Sequence, residues 1–421
     1  MLESRIIRRD PERVKAACLL RGVDLGAEVD ELAALDARRG ELLSAARELR
    51  EQQNLLRLRF PELERAGKSS VPLQIELRLL ARKTAVLEAE LEEREERRRA
   101  LLLLFPNLPR GRAAEPVRRW GVPAVFPYPP KSARVLGEGL GIFVPPPGLF
   151  PGNETKARTK GPGIPVFPDG PSPRTGAGAC REDRSVPAPS GCLPPLLGMG
   201  ARLARALESY WLDALAAGGL TECRLPDGPA DEMQGVTPAV GALMRPHRGR
   251  VYPAGCALPG CCAIFSGREG GDISAMLLLA APGQDGMAME RLLSLTGKAL
   301  RGLGLPFELS PLEPAQLPFE AAAGWSAGVW MPSSGRYETA AVISACGDFL
   351  SRRIACRCRR EGERRPRPAE AACGTADLSV LLRALLENGQ DGGGSAAVPE
   401  ALRPLTGAKR LARQRRIDEA R

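Results

Sequence analysis

Two runs of apolar residues, spaced alternately three and four positions apart, constrain this chain more than any other feature. The seam positions are Leu32, Leu35, Arg39, Leu42, Ala46, Leu49, Gln53 and Leu56 in the first run, and Leu77, Leu80, Thr84, Leu87 and Leu91 in the second. Such spacing is typical of a coiled coil. Phe60-Pro61 and residues 66–70 interrupt the pattern between the runs. The sequence therefore predicts a long antiparallel helical hairpin over about residues 29–104.

The exposed faces of this hairpin are strongly charged. A mixed run of glutamates and arginines at 92–99 lies near its base. The distal half carries a set of cations, namely Arg47, Arg50, Arg57, Arg59, Arg65 and Lys68. Two interpretations stay open, because a charged coiled-coil surface can be a solvated face or a contact for RNA phosphates.

Composition narrows the class of protein. The 421 residues suggest two or three domains, and 60 Lys and Arg against 50 Asp and Glu give a net charge of +10. This balance permits nucleic-acid binding, although a GC-rich genome would enrich arginine in the same way. With no run of eighteen apolar residues and a charged N-terminus, we expect a soluble cytosolic protein without membrane contact. The eleven cysteines include no paired C-x-x-C and are expected to be reduced.

The remainder of the chain predicts a body in which strands and helices alternate irregularly. Helices are predicted at 201–217, 287–303 and 378–388, strands at 220–225 and 354–359, and a β-hairpin at 329–337. The absence of βαβ regularity favours an α+β fold with an antiparallel sheet flanked by helices. The predicted divisions are the helical arm at 1–110, a linker and the start of the body at 111–143, a flexible Pro/Gly-rich insertion at 144–195, the body at 196–408 and a basic tail at 409–421.

Several motifs occur in one unbroken order along the chain. They include Asp10-Pro11-Glu12-Arg13-Val14, Pro106-Asn107-Leu108-Pro109, Val117-Arg118-Arg119-Trp120-Gly121, the hairpin at 329–337, and Ala384-Leu385-Leu386-Glu387-Asn388. Together with the coiled coil, they make the chain similar to bacterial-type seryl-tRNA synthetases. The resemblance implies a class II aminoacyl-tRNA synthetase body with a helical arm that grips tRNA, and a homodimer. The family's first motif, at the dimer interface, falls on a segment that includes Arg202 and Pro226.

The resemblance also implies which positions would carry the chemistry. ATP-dependent serine activation needs cations and a metal at the phosphates, and acidic groups at the serine. In place of the family's charged and amide groups, this chain has Ala254, Gly255, Cys256, Gly328, Thr339, Ala345 and Val380. Of the second motif, the candidates that remain are Arg268 and Glu269. The ligands for ATP and Mg²⁺ therefore look absent, and no cofactor or metal site is predicted.

Three hypotheses follow. The first is a synthetase-like protein that has lost serine activation but dimerises and binds tRNA or an active synthetase partner. The second is a divergent, active serine-tRNA ligase whose charges, such as Glu313, Glu320, Arg336 and Arg268, lie elsewhere. The third is a decaying reading frame without a selected function. Outside these positions, His247 is expected on a surface loop, the clustered cysteines in the core, and Gly392-Gly393-Gly394-Ser395 in a turn.

Overall fold

A computed structural model describes residues 1–65, 69–111, 116–143, 193–225, 233–266 and 271–412. Several predicted features lie outside these residues. They are Lys68, Pro226, Arg268 and Glu269, nearly all of the 144–195 insertion, and residues 413–421 of the basic tail.

The N-terminal region is entirely helical. Its helices are α1 (Ser4–Arg9), α2 (Pro11–Leu20), α3 (Gly26–Leu58), α4 (Phe60–Arg65) and α5 (Val71–Leu104). Asp10 caps α2 by accepting a hydrogen bond from the Arg13 backbone N–H, and Pro11 occupies the first turn. The predicted break at Phe60-Pro61 is shorter than expected, because proline is tolerated in the first turn of a new helix, here α4.

Helices α3 and α5 pack along the predicted seam. The buried residues of the pair are Val29, Leu32, Leu35, Leu42 and Ala46 on α3, and Leu73, Thr84, Leu101 and Leu102 on α5. Within the seam, the Gln53 amide nitrogen donates to Thr84 Oγ1 at 2.8 Å. This bond pairs two of the three polar residues that interrupt the apolar pattern, and the predicted antiparallel helical hairpin is confirmed.

The body alternates strands and helices. Its strands are β1 (Arg118–Trp120), β2 (Thr221–Glu222), β3 (Val251–Tyr252), β4 (Gly260–Ser266), β5 (Asp272–Ala280), β6 (Phe307–Pro311), β7 (Ala323–Met331), β8 (Arg336–Gly347), β9 (Arg357–Cys358), β10 (Arg367–Pro368), β11 (Glu370–Asp377), β12 (Ala396–Ala397) and β13 (Arg410–Leu411). Its helices are α6 (Ala133–Leu140), α7 (Met199–Ala217), α8 (Pro238–Met244), α9 (Asp285–Gly302), α10 (Phe349–Arg353), α11 (Leu378–Asn388) and α12 (Arg403–Thr406).

Eight strands form the central sheet, in the order β1-β6-β7-β8-β11-β5-β4-β2. All neighbours are antiparallel except β2 and β4, which are parallel. Strands β10, β9 and β3 form a separate three-stranded sheet, and β12 pairs with β13. The predicted α+β class is confirmed, whereas the strands expected at 220–225 and 354–359 shorten to β2 and β9.

The sheet separates two hydrophobic cores. One face packs against α6, α7, α9 and α11, with Trp211 and Trp325 fully buried there. The other face of β4, β5 and β11 packs against α8, α10 and the base of the arm. On that second face, β7 and β8 leave Ser326, Tyr337 and Thr339 partly or fully exposed. The hairpin therefore presents an open surface beside a covered one.

The arm is fixed to the body through backbone carbonyls. The Arg21 guanidinium donates to the carbonyls of Leu317, Pro318, Ala321 and Asn107 at 2.5 to 3.2 Å. The buried side chain of Asn107 donates to the carbonyls of Glu320 and Cys346, both at 2.8 Å. In the described part of the chain, no helix is long and apolar enough to cross a membrane.

Candidate functional site

The β7–β8 hairpin determines where two of the predicted site positions lie. Gly328 and Thr339 are direct cross-strand partners, and a bulge between Ala327 and Gly328 leaves Ala340 as the extra residue. Cross-strand partners share a sheet face, and this pair lies on the side that the helices do not cover. The sequence analysis placed both positions on the hairpin's flanks, and the structure brings them together.

The neighbours of this pair are small or aromatic, with one acid among them. Trp330 and Tyr337 stack edge to face, with ring centroids 5.2 Å apart. Glu308 on β6 is paired with Gly328 across the sheet, but its carboxylate already forms an ion pair with Arg119 at 3.0 Å. Sequence reasoning missed this acid, because nothing in the local sequence shows that β6 lies beside β7.

Val380 occupies the first turn of α11, next to the start of β5. Asp377 caps the helix, accepting from the Ser379 backbone N–H at 2.9 Å and the Val380 backbone N–H at 3.3 Å. A Cβ on Gly271 would lie 3.3 Å from Ser379 Oγ, so this helix end adjoins Gly271, just before β5. The carboxylate nearest Val380 in sequence is therefore engaged in capping.

The structure does not bring the remaining predicted positions to the same surface. Ala345 packs on the opposite face of β8, in the core beneath the helices. The exposed turn formed by Ala254, Gly255 and Cys256 follows β3, which pairs with β9 in the smaller sheet. Local sequence could not reveal this, because side chains alternate between faces and a bulge changes the alternation.

The charges that an alternative site would use have separate roles. Glu320 is buried, and its Oε2 accepts from the Thr237 backbone N–H at 3.2 Å. Glu313 forms a capping box with Gln316, and the exposed Arg336 lies at the hairpin tip, 3.9 Å from Glu338. Arg383 holds the other oxygen of Glu338 at 2.9 Å.

His247 is not on a surface loop as expected, but is buried in a short 3-10 helix over Arg245–His247. Its Nδ1 lies 2.6 Å from the Tyr252 hydroxyl. Burial, followed by the nearby Arg250, lowers the pKa of the imidazole, because both disfavour its charged form. The expectation was wrong because the Pro-Arg-Gly context indicates a turn without indicating what covers it.

Most of the cysteines described by the structure are buried, as predicted, but Cys256, which was expected in the core with Cys261 and Cys262, is exposed because it lies in the turn after β3. Burial raises the pKa of Cys262 to about 12 and that of Cys356 to about 11. Within the described ranges, no group of three or more His, Cys, Asp or Glu could hold a metal ion. The glycine-rich segment forms a turn that Asp391 closes by accepting from the Ser395 backbone N–H at 2.9 Å.

Two cavities lie at the junction of the N-terminal helices with the body. Their volumes are about 270 and 350 Å³, and both include Met1, Leu2 and Glu3 in their walls. Neither is lined by Gly328, Thr339, Ala345 or Val380. These cavities are therefore separate from the surface beside the hairpin.

The cations of the arm fall into two groups. Near the base they are paired across the hairpin, as in Arg97 with Glu31 at 2.6 Å and Arg98 with Asp36 at 2.5 Å. In the distal half, Arg47 pairs with Glu51 at 3.1 Å, and Arg50 pairs with Glu88. Arg65 donates to the carbonyl of Pro61 at 3.1 Å.

A further set of distal cations is exposed and without a carboxylate in salt-bridge range in the described part of the arm. The set comprises Arg57, Arg59, Arg78, Arg82 and Lys83. The sequence analysis missed the three members on α5, Arg78, Arg82 and Lys83, because a helical pattern alone does not show which charges remain unpaired after two helices pack.

Residues 1–109 match the family model for the seryl-tRNA synthetase N-terminal domain. Curated relatives extend the similarity over nearly the whole chain. The serine-tRNA ligase of Nitratidesulfovibrio vulgaris (strain DSM 19637 / Miyazaki F) is 28% identical, with 97% of this chain and 98% of the relative covered. Over nearly its whole length this chain is similar to serine-tRNA ligases, and its first 109 residues match the N-terminal domain of seryl-tRNA synthetases. The serine-tRNA ligase of Synechococcus sp. (strain JA-3-3Ab) is 27% identical over 98% of both proteins.

Solved structures of the seryl-tRNA synthetase family share this fold. The seryl-tRNA synthetase from Pyrococcus horikoshii, complexed with ATP, superposes with a TM-score of 0.77 at 19% identity, covering 99% of this chain and 100% of that one. The cytoplasmic serine-tRNA ligase from Naegleria fowleri, in complex with AMP, superposes with a TM-score of 0.72 at 16% identity, and the match covers 99% of both chains. These likenesses support the α+β architecture with a helical arm.

Proposed function

We propose that this chain is a member of the seryl-tRNA synthetase family that has lost ATP-dependent serine activation and retains a dimerising, tRNA-binding scaffold. The observation that carries the proposal is the open face of the hairpin, where Gly328 and Thr339 face each other without an ionisable side chain of their own. Val380 likewise puts an aliphatic group at the N-terminus of α11.

A nucleotide triphosphate with Mg²⁺ needs both cations and carboxylates around it. The described residues at the positions that the resemblance assigns to ATP and serine binding supply neither cations nor carboxylates. Glu308, across the sheet from Gly328, is committed to an ion pair with Arg119, and Asp377, just before α11, is committed to a helix cap. Removing one preorganised charge contact typically costs about 2.7 to 4 kcal/mol in the transition state, so several losses together would abolish adenylate formation.

The test is serine-dependent ATP–pyrophosphate exchange on the purified full chain. We expect no exchange above that of a R268A/E269A variant, which removes the second-motif candidates outside the described residues. An active family member assayed in parallel shows that the conditions support the reaction. Exchange by the unmodified chain that disappears in R268A/E269A would instead establish a working serine-tRNA ligase.

That second function is the alternative because the relatives aligned along nearly the whole chain are named as serine-tRNA ligases. Arg268 and Glu269 are the residues that would most directly restore it. An active ligase would also charge tRNA with serine, so an aminoacylation assay separates it from a protein that only binds tRNA.

The retained part of the proposed function is binding. The unpaired distal cations suit the phosphates of tRNA, because an arginine without a carboxylate partner can neutralise a phosphate without first breaking an ion pair. A homodimer and an association with an active synthetase extend the proposal. Light scattering on the purified chain, alone and mixed with an active family member, tests both associations.

A further inference from the structure

A second strongly basic surface lies on the body, far from the arm in sequence. Between 357 and 367 the chain has six arginines, two glutamates and no lysine. These residues form β9, β10 and the turn that joins them, in the three-stranded sheet with β3. We call the exposed set Arg357, Arg359, Arg360, Arg364 and Arg365 the body arginine patch.

The fold directs these side chains outward. Cys356 and Cys358 are buried, whereas Arg357 and Arg359, which alternate with them, are exposed. Alternation along an extended segment therefore places the cysteines against the core and both arginines on the solvent side. The Arg359 backbone N–H bonds to the Tyr252 carbonyl at 2.9 Å, so this backbone is held by β3 and its neighbours.

The patch is not neutralised internally. Arg367 uses Glu363 at 3.1 Å, and none of the five patch arginines has a carboxylate in salt-bridge range within the described residues. Arg250, also exposed, lies just before β3 and adds charge beside the patch, since its carbonyl accepts from the Arg357 backbone N–H at 2.8 Å. So many like charges on one small sheet repel one another, and a polyanion would relieve that repulsion.

We propose that the body arginine patch is a second RNA-backbone contact, which holds a duplex part of the tRNA that the arm engages. The inference rests on the proposed tRNA binding. Arginine is suited to this role, because its planar guanidinium can donate two parallel hydrogen bonds to one phosphate. The patch also lies close to the turn 254–256, because that turn follows β3 and β3 pairs with β9.

The experiment uses two RNA probes, a full transcript of a tRNA for serine and a minihelix of its acceptor stem alone. Fluorescence anisotropy across a salt series is measured for the full chain, for R357A/R359A/R360A, and for an arm variant, R57A/R59A. The control R134A/K298A/R301A removes three exposed cations elsewhere on the body. Thermal unfolding by circular dichroism shows whether each variant is folded. If the alanine variant is not folded, R357K/R359K/R360K replaces it, because lysine keeps the positive charge but cannot donate two parallel hydrogen bonds to one phosphate.

We expect the patch variant to bind both RNAs at least about tenfold more weakly, with a salt slope reduced by about two, since each phosphate contact contributes about 0.7 to 0.9. The control should match the unmodified chain. If the patch variant and the control variant bind both RNAs with equal affinity and equal salt slope, the proposed role of the patch is overturned, while the proposed role of the arm is unaffected. If the arm variant also has no effect, the proposed tRNA binding itself fails. Binding to phosphatidylglycerol vesicles is measured as well. If the patch variant loses binding to these vesicles but keeps its binding to RNA, the inference is also overturned.

Discussion

Gly328 and Thr339 are directly opposite each other across β7 and β8, on the sheet face that the helices leave open. Their pairing follows from a bulge that skips Ala340 and keeps Thr339 on the same side as Gly328. The two positions that the resemblance assigns to charged groups therefore lie side by side on this surface.

The first prediction concerns Thr339→Glu. Because Thr339 is exposed, the substitution should change the free energy of unfolding by no more than about 0.5 kcal/mol. It should not produce serine-dependent pyrophosphate exchange, because one carboxylate cannot replace a set of charges that act together. Urea denaturation and the exchange assay check both parts. Thr339→Gln is the uncharged control, and exchange by the Glu variant alone would refute the prediction.

The second prediction separates the two groups of arm arginines. R57A/R59A removes exposed cations without a carboxylate partner, whereas R38A/R97A removes two that are held by Glu90 and Glu31 at 3.2 and 2.6 Å. Only the first variant should weaken tRNA binding appreciably, with a salt slope lower by about 1.4 to 1.8. Filter binding from 50 to 300 mM salt measures this. A larger loss in R38A/R97A would contradict the assignment.

The third prediction concerns the hydrogen bond between Gln53 and Thr84 in the arm seam. A double-mutant cycle with Q53L and T84V should give a coupling energy of about 0.5 to 1.5 kcal/mol, because each single change leaves a polar group without its partner. The double variant should unfold at a temperature close to, or above, that of the unmodified chain, since both partners in that layer of the seam are then apolar. Strictly additive single effects would show that the bond contributes nothing.

The fourth prediction concerns pH. Burial and then the neighbouring Asp272 raise the pKa of Glu208 from 4.5 to about 7, against a smaller opposing effect of Arg205. Between these values the folded chain holds a proton that the unfolded chain releases, so stability should fall as pH rises from 4.5 to about 7. Because the carboxyl is partly exposed, solvent screening should make the effect modest.

Denaturant unfolding at several pH values from 4.5 to 8 tests this. Glu208→Gln should be the more stable protein above pH 7, and the difference from the unmodified chain should disappear at low pH. A difference that is constant across the range would mean that the carboxyl does not titrate with a raised pKa.

Periodic features were predicted well from the sequence. The arm seam, the hairpin at 329–337 and helix α11 were all placed correctly, because each depends on repeating apolar spacing or on turn residues within a short stretch. The family resemblance, carried by motifs in order, is confirmed as well. Short strands were predicted poorly, since β2 and β9 exist only through pairing with distant strands.

What the sequence by itself determined is the architecture, and which residues the resemblance assigns to the family's site positions. What only the tertiary structure decided is which of them meet. Gly328 and Thr339 share a face, Ala345 lies on the opposite one, and Glu308 is engaged by Arg119. The reason is physical: local spacing fixes helices and strands, whereas register, bulges and ion pairs depend on contacts between residues far apart in the chain.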